Sequence, residues 1–439
     1  MQAYKIFKKI FSRHGLFDIY FSFIQHKRVV GIDKITNEVF ESRLDKNIEL
    51  IVNKTQNNSY NYSFYKAKLI LKGRDKCPRI ISMPTIRDRL ALKALSILLF
   101  LVYENEIKYK LVQSILSDIK QKMMSFDSFI KIDIKNFYPS INHELLFKKI
   151  RKKIKKPEIL SLIANSICQK SLLSTSEHVP PVTIGIPQGL SISNILANVY
   201  MLDLDKIMAR KRKYAYFRYV DDILILCNAK DINVIHEQIK KEFIHLNLEI
   251  NEDKLEKGFL TDSFSYLGYY YTEYGFSVRP SSIDKLRDSI VRNFTTFKYS
   301  SDLPLSYLIW NINLRITGCM FEKNKYGWMF FYSQIDDMQL LYQLDHFINM
   351  MIKRFLKPSK YFIPKKFVRT YWEITKNLSD TNYIPNFSDY GISQKKTILN
   401  EVFQFKDPFS WEDDIVEKVF RKKVFQSIRE LEKDFQRLS

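Results

Sequence analysis

The stretch Tyr214-Ala215-Tyr216-Phe217-Arg218-Tyr219-Val220-Asp221-Asp222-Ile223-Leu224-Ile225-Leu226 decides how the chain is read. Its two arms are rich in aromatic and branched apolar residues and predict two strands, with a tight turn at Val220-Asp221-Asp222 between them. Two carboxylates are then held at the tip of an otherwise apolar hairpin. Adjacent like charges withdrawn from water are costly unless a cation neutralises them, and a divalent metal does that well. The chain has two further Asp-Asp pairs, Asp336-Asp337 and Asp413-Asp414, in polar stretches of helical character, where they read as a solvated face or a helix start.

A third carboxylate lies upstream. Ser125 to Ile134 is rich in Phe and Ile and predicts a buried strand ending near Asp133, within Lys131-Ile132-Asp133-Ile134-Lys135-Asn136-Phe137-Tyr138. Two Mg²⁺ ions roughly 3.5–4 Å apart, clamped between such carboxylates, would activate a 3′-hydroxyl and stabilise a departing pyrophosphate. Ala67 to Leu71 and Arg79 to Met83 read as short strands that bracket Lys72-Gly73 and Pro78. Over residues 193–208, Leu196, Val199, Tyr200, Leu204 and Ile207 recur at spacings of three and four, one apolar helix face. Beyond Tyr274 the pattern becomes mainly helical, with Ile335, Met338, Leu341, Leu344, Ile348, Met351 and Phe355 on one stripe until Pro358 stops it. The fold class read from this is α+β, turning α-helical in its last third.

Tyr219-Val220-Asp221-Asp222 resembles the Y-x-D-D motif of reverse transcriptases, and flanking segments stand in that family's order across roughly residues 31–275. Gly31-Ile32-Asp33-Lys34-Ile35-Thr36 is similar to the N-terminal element of group II intron and related bacterial enzymes. Arg79-Ile80 with Pro84-Thr85-Ile86-Arg87-Asp88-Arg89 resembles the fingers motif, and Asp133 to Pro139 the first catalytic motif of the palm. Gly185-Ile186-Pro187-Gln188-Gly189, followed by Ser191-Ile192-Ser193-Asn194, resembles the P-Q-G loop and its helix. Leu248-Glu249-Ile250-Asn251-Glu252-Asp253-Lys254 and Phe264-Ser265-Tyr266-Leu267-Gly268-Tyr269 resemble the next motif and the primer grip. A lone Asp-Asp is weak evidence, whereas ordered motifs around an intact carboxylate triad are strong evidence.

The resemblance implies a right-hand polymerase and a set of roles. Asp133, Ile134, Asp221 and Asp222 form the metal set, with Mg²⁺ as two ions and Mn²⁺ as a substitute. Tyr138 lies under the sugar ring, where its bulk would clash with a 2′-hydroxyl and select dNTP over rNTP; the alternative is a plain core tyrosine. Arg79 and Lys72 would reach the triphosphate, because a guanidinium fork and an ammonium offset its charge. Gln188 lines the nascent base pair, and Lys254 is placed to protonate pyrophosphate, or is a surface lysine. Tyr219, Phe264, Tyr266, Leu267 and Gly268 hold primer and template, or in the case of the last four form a simple strand of a small sheet. Lys148, Lys149, Arg151, Lys152, Lys153, Lys155 and Lys156, set around Ile150 and Ile154, read equally as a solvated helix face and as a surface tracking phosphates.

Composition agrees. Among 439 residues, 70 Lys plus Arg stand against 48 Asp plus Glu, a formal charge of +22 that points to a polyanion such as nucleic acid. With 46% hydrophobic and 14% aromatic residues the chain can build packed cores, which excludes general disorder. Cys77, Cys168, Cys227 and Cys319 are scattered, without zinc-ligand spacing or a disulfide framework, and predict a reducing, cytoplasmic setting. The apolar run Leu90 to Tyr103 is short and interrupted by Lys93, so no membrane span is predicted. Met1 to Phe17, basic and free of acidic residues, has the alternative reading of a transit peptide.

The expected organisation is an N-terminal helical extension over 1–30, fingers and palm over 31–275, a helical thumb over 276–358 and a helical C-terminal extension over 359–439. Arg315-Ile316-Thr317-Gly318 and Tyr326-Gly327-Trp328 resemble C-terminal elements of bacterial reverse transcriptases. The sequence lacks an acidic cluster of RNase H layout, an H-N-H nuclease pattern, and the N-A-x-x-H and V-T-G signatures of retron enzymes. The remaining resemblance is to stand-alone bacterial reverse transcriptases of the unknown-group and abortive-infection type. It implies cDNA synthesis from an RNA template, such as a partner noncoding RNA, in antiphage defence. Expected partners are that RNA, a DNA primer or product, dNTPs, and a partner reverse transcriptase or a second copy. The competing readings are a template-independent or protein-primed DNA polymerase and a catalytically silent RNA-binding scaffold.

Overall fold

The computed structural model of the chain describes residues 2–25, 29–71, 78–173, 182–211, 213–300 and 302–435. It divides into two compact units, the first made of residues 1–109 with 128–258, the second of 110–127 with 259–439. The boundary at Gly258 falls ahead of the palm end read at 275 from sequence.

The first unit holds two sheets. Strands β1 (Tyr65–Ile70), β2 (Arg79–Met83) and β4 (Ser171–Leu172) form one, in the order β2-β1-β4. Strands β3 (Ser128–Asp133), β5 (Ala215–Tyr219), β6 (Asp222–Cys227) and β7 (Glu256–Phe259) form the other, in the order β5-β6-β3-β7. After Asp222, every residue of β6 is buried, so the strand reads as a continuous apolar run because it is covered on both faces. The helix Ile232–His245 packs on β3 and the helix Ser193–Ala209 on β5. The β5–β6 hairpin is tighter than expected, since Asp222 opens β6 and pairs with Tyr219, leaving only Val220-Asp221 as the loop.

Helix Ile86–Tyr103 carries no single apolar stripe; it is buried nearly all round, which is why its sequence looked like an interrupted membrane segment. Among the described residues, no helix is long and apolar enough to cross a membrane. Thr85 caps it, accepting from the Asp88 amide, while the buried Asp88 carboxylate accepts from Tyr60 Oη at 2.8 Å, Thr85 Oγ1 at 2.8 Å and the Ser63 amide at 3.0 Å. Three donors satisfy a charge that would otherwise be costly at this depth. Helices Gln2–Ile10 and Arg13–Ile19 fold against this helix and bury Phe7, Phe11 and Leu16.

The basic run of 148–156 is a short helix end followed by a turn, and part of its charge is spent within the unit. Lys149 and Lys152 both meet Asp203 at 3.3 Å, and Lys153 meets Glu106 at 3.3 Å. Lys148, Arg151, Lys155 and Lys156 are exposed.

The second unit contains a three-stranded meander, β8 (Phe264–Tyr266), β9 (Tyr269–Thr272) and β10 (Gly275–Val278), then a hairpin of β11 (Cys319–Phe321) and β12 (Asn324–Tyr326). Its α-helices are Val112–Met123, Pro280–Tyr299, Leu305–Thr317, Trp328–Phe331, Met338–Phe355, Phe367–Lys376, Ile392–Glu401 and Asp413–Glu432. The β11–β12 hairpin interrupts what sequence read as helix. It is closed by two glycines at positive φ: a Cβ on Gly327 would lie 2.5 Å from Gly318 Cα. The Asp336-Asp337 pair is structural, with Asp337 capping Met338–Phe355 by accepting from the Leu340 amide at 2.9 Å. Ile335 therefore lies ahead of the helix whose stripe it was assigned to, because the chain enters that helix only after its cap. Cys168, Cys227 and Cys319 form no disulfide; Cys77 lies outside the described residues.

Candidate active site

Strand pairing brings the three carboxylates together. Asp133 ends β3 directly opposite Asp222, the first residue of β6, and the Ile134 amide donates to the Asp221 carbonyl at 3.3 Å. Side chains directly opposite on paired strands stand about 5 Å apart at Cβ, and like charges there repel. The result is visible in their acidity. Burial first, then the charges of Asp221 and Asp133, pushes Asp222 up to about 6, against the partial relief of Lys131 and Lys254. Asp221 is raised as well, by burial foremost and by Asp133, with Arg79 and Lys254 opposing.

The Asp133 carboxylate is oriented by two donors from the segment after the helix Ile232–His245. Asn251 Nδ2 donates to Oδ2 at 2.8 Å, and the Lys254 ammonium lies 2.9 Å from Oδ1. The Asn251 amide also donates to the Asp133 carbonyl at 2.9 Å, so this segment is stitched to the end of β3. Half-buried carboxylates gathered at one strand end are the hard oxygen donors that Mg²⁺ takes. In this conformation Asp133 faces Lys254 and Asn251, and among the described residues no group of three or more His, Cys, Asp or Glu side chains converges closely enough to hold a metal. The donor chemistry fits a divalent ion, provided that Asp133 exchanges Lys254 for it.

The hairpin tip is strained. Val220 has φ +57°, at the first central position of a two-residue loop, where a type II′ turn favours glycine. A β-branched residue held there costs roughly 1–3 kcal/mol. The Tyr219 side chain is half-buried, which raises its pKa.

The P-Q-G loop docks on β2. The Ser82 amide donates to the Gln188 carbonyl at 2.7 Å, and Arg79 Nε donates to Gln188 Oε1, so the two residues read from sequence as nucleotide contacts touch each other. Gly189 has φ +98°, and a Cβ there would lie 2.7 Å from Ile81 Cγ2. The loop is also tied to the segment carrying Tyr138, whose carbonyl accepts from the Ile186 amide at 2.8 Å. Burial, then the Asp221 charge, pushes the Tyr138 hydroxyl up to about 12, so it stays protonated beside the carboxylates.

Not every expected residue joins this cluster. Lys72 lies outside the described residues. Phe264, Tyr266, Leu267 and Gly268 belong to the second unit. There the side chains of Phe264, Tyr266 and Leu267 are buried, and Leu267-Gly268 forms a two-residue turn with both residues at positive φ. Any contact from this turn to a primer would come from its backbone. Asn251 and Arg218 stand in these motifs, but sequence alone gives neither a role. The available signal was an arginine in an apolar strand, which needs a buried partner.

Antiparallel strands presenting three carboxylates beside an arginine-held glutamine loop define a nucleotidyl-transfer polymerase palm. Residues 70–271 match the family described as reverse transcriptase (RNA-dependent DNA polymerase), and the chain carries a reverse transcriptase domain. Among similar proteins are Protein YkfC of Escherichia coli (strain K12), 21% identical over 66% of this chain and 85% of that protein. Group II intron-encoded protein LtrA of Lactococcus lactis subsp. cremoris is 26% identical over 41% of this chain and 31% of LtrA. The Retron Ec83 reverse transcriptase of Escherichia coli is 25% identical over 29% of this chain and 42% of that enzyme. The chain thus spans less than a third of LtrA.

Proposed function

We propose that the domain copies an RNA template, a partner noncoding RNA, into DNA in bacterial antiphage defence, in the cytoplasm. The observation that carries the polymerase reading is Asp133 paired opposite Asp222 beside Asp221, with Asp222 pushed up to about 6. Asp133, Asp221, Asp222 and Ile134 would hold two Mg²⁺ ions, which supply Lewis acidity at the 3′-hydroxyl and at the leaving pyrophosphate. This chain's own residues do the rest. Arg79, fixed against Gln188, presents its charge to the triphosphate, and Gln188 is thereby oriented toward the base pair. Tyr138 occupies the space a 2′-hydroxyl would need. Lys254, 2.9 Å from Asp133 in this conformation, would protonate the departing pyrophosphate. Tyr219 and the Leu267-Gly268 turn hold template and primer, and a partner reverse transcriptase or second copy completes the assembly.

The test replaces Asp221 and Asp222 by alanine and measures dNTP incorporation and RNA affinity, with sequencing of RNA and DNA recovered with the native protein. The expected outcome is lost incorporation, retained RNA affinity, and DNA complementary to one noncoding RNA. Full activity in the double variant would overturn the reading. Homopolymeric or random DNA would point instead to untemplated synthesis.

A further inference from the structure

The reaction above does not use Arg218, although its side chain is only 7% exposed and its guanidinium serves several acceptors at once. Nε donates to Asp205 Oδ1 at 2.8 Å, and Nη2 donates to Asp205 Oδ2 and to Asn198 Oδ1, the latter at 3.0 Å. Nη1 donates to the Val220 carbonyl at 2.9 Å. Asn198 and Asp205 are two turns apart on the helix Ser193–Ala209 and so share one face. Tyr216, two residues before Arg218 on the same face of β5, adds its hydroxyl to Asp205 Oδ1 at 2.9 Å.

The acceptor that matters is the Val220 carbonyl. It belongs to the peptide that joins Val220 to Asp221, and that peptide is planar, so fixing its oxygen also fixes the amide and Cα of Asp221. Val220 sits at φ +57°, and relief of that strain by rotation about its N–Cα bond would displace the Val220 carbonyl and, with it, Asp221 from its place beside Asp133. Asp205 neutralises Arg218 and anchors it to a buried helix, so the guanidinium acts as a rigid strut between that helix and the turn.

We propose that Arg218 is a positioning residue for catalysis: braced by Asp205 and Asn198, it holds the strained Val220–Asp221 peptide in the orientation that presents Asp221 to the metal site. The inference rests on the polymerase reading of that site. A lysine keeps the charge on Asp205 but lacks the planar fork needed to serve three residues together.

The test is Arg218→Lys in the full chain, alone and with Val220→Gly, since glycine adopts positive φ without strain and removes the need for the strut. Three quantities are read: kcat and dNTP KM on an RNA template, Mn²⁺ affinity of the nucleotide-free protein, and Tm. Arg218→Lys is expected to lower kcat by about tenfold or more with dNTP KM changed less than about threefold, and to weaken Mn²⁺ binding by about threefold. In the Val220→Gly background the same substitution is expected to cost less than about threefold in kcat. An equal loss of kcat in both backgrounds, or a lowered Tm with kcat and Mn²⁺ affinity unchanged, would overturn the proposal and leave Arg218 a structural residue. If Arg218→Lys does not fold, Asn198→Ala, which removes one brace, is read against the same outcomes. Failure of the polymerase reading itself would be distinguishable, because the parent protein would then incorporate no dNTP at all.

Discussion

Replacing Lys254 by methionine should tighten metal binding while slowing turnover. Lys254 Nζ stands 2.9 Å from Asp133 Oδ1, with the lysine side chain 56% exposed and the aspartate 16% exposed. Solvent screening limits such a half-exposed pair to about 0.5–1 kcal/mol. A divalent ion must displace that interaction to reach Asp133, so its removal should raise affinity by roughly two- to fivefold, taking 1.4 kcal/mol as a factor of ten. Methionine keeps the stem of the side chain and removes only the charge. Calorimetric titration of nucleotide-free protein with Mn²⁺ measures the effect, and single-nucleotide incorporation at saturating dNTP measures the cost. Loss of a proton donor to pyrophosphate should lower kcat by about 100-fold, the low end of general acid catalysis. Lys131→Met is the control, because the Lys131 ammonium is engaged with Glu256 at 2.6 Å yet also acts on Asp222. A direct tie to Asp133 makes the Lys254 variant gain more affinity than the Lys131 variant. Equal gains would reduce the effect to long-range charge, and unchanged or weaker Mn²⁺ binding by Lys254→Met would refute the reasoning.

Gly189→Ala should destabilise the first unit by about 2 kcal/mol, since positive φ alone costs an L-residue roughly 1–2 kcal/mol and the new Cβ also meets Ile81. Urea unfolding checks this, with a rise in dNTP KM expected as Gln188 leaves Ser82; wild-type stability would contradict the clash read at 2.7 Å. Asp222 gives a pH test. Its folded pKa of about 6 lies above the ordinary value of 3.8, so its contribution to stability is full below about pH 4 and is lost as pH rises through 6. Divalent ions bind the ionised carboxylates, so Mg²⁺ should raise Tm more at about pH 7.5 than at about pH 5.5. Equal shifts at the two pH values would show that Asp222 is not part of the ion's site.

The carboxylate hairpin was legible because two kinds of signal coincide there: apolar strand-forming arms and adjacent charges that such arms cannot tolerate without a reason. Partnerships across long sequence distances were legible only where a motif supplied them. Arg79 and Gln188 could both be assigned to the nucleotide, but their contact with each other follows from the docking of a loop on β2, which no local pattern encodes. The brace on Arg218 was hidden for a related reason. Asn198 and Asp205 lie outside the apolar stripe of their helix, and only the fold shows that they meet an arginine rather than water. The glycines of Gly318 and Gly327 likewise resembled family elements without revealing that they close a hairpin by touching.

Charge shows the same limit from the other side. The run from Lys148 to Lys156 is the densest basic segment in the sequence, yet Lys149, Lys152 and Lys153 are committed to Asp203 and Glu106. The stretch from His346 to Trp372 is less conspicuous, but it contains no acidic residue and carries Lys353, Arg354, Lys357, Lys360, Lys365, Lys366 and Arg369. Among the described residues, only Arg369 of these meets a carboxylate, Glu373 at 3.5 Å. Lys353, Arg354, Lys357, Lys360 and Lys366 are exposed. Counterion release depends on cations that phosphate can reach, not on cations already paired. A density of lysines therefore overstates the electropositive surface of the first unit, and the absence of acids, a weaker sequence signal, marks where unpaired cations of the second unit lie.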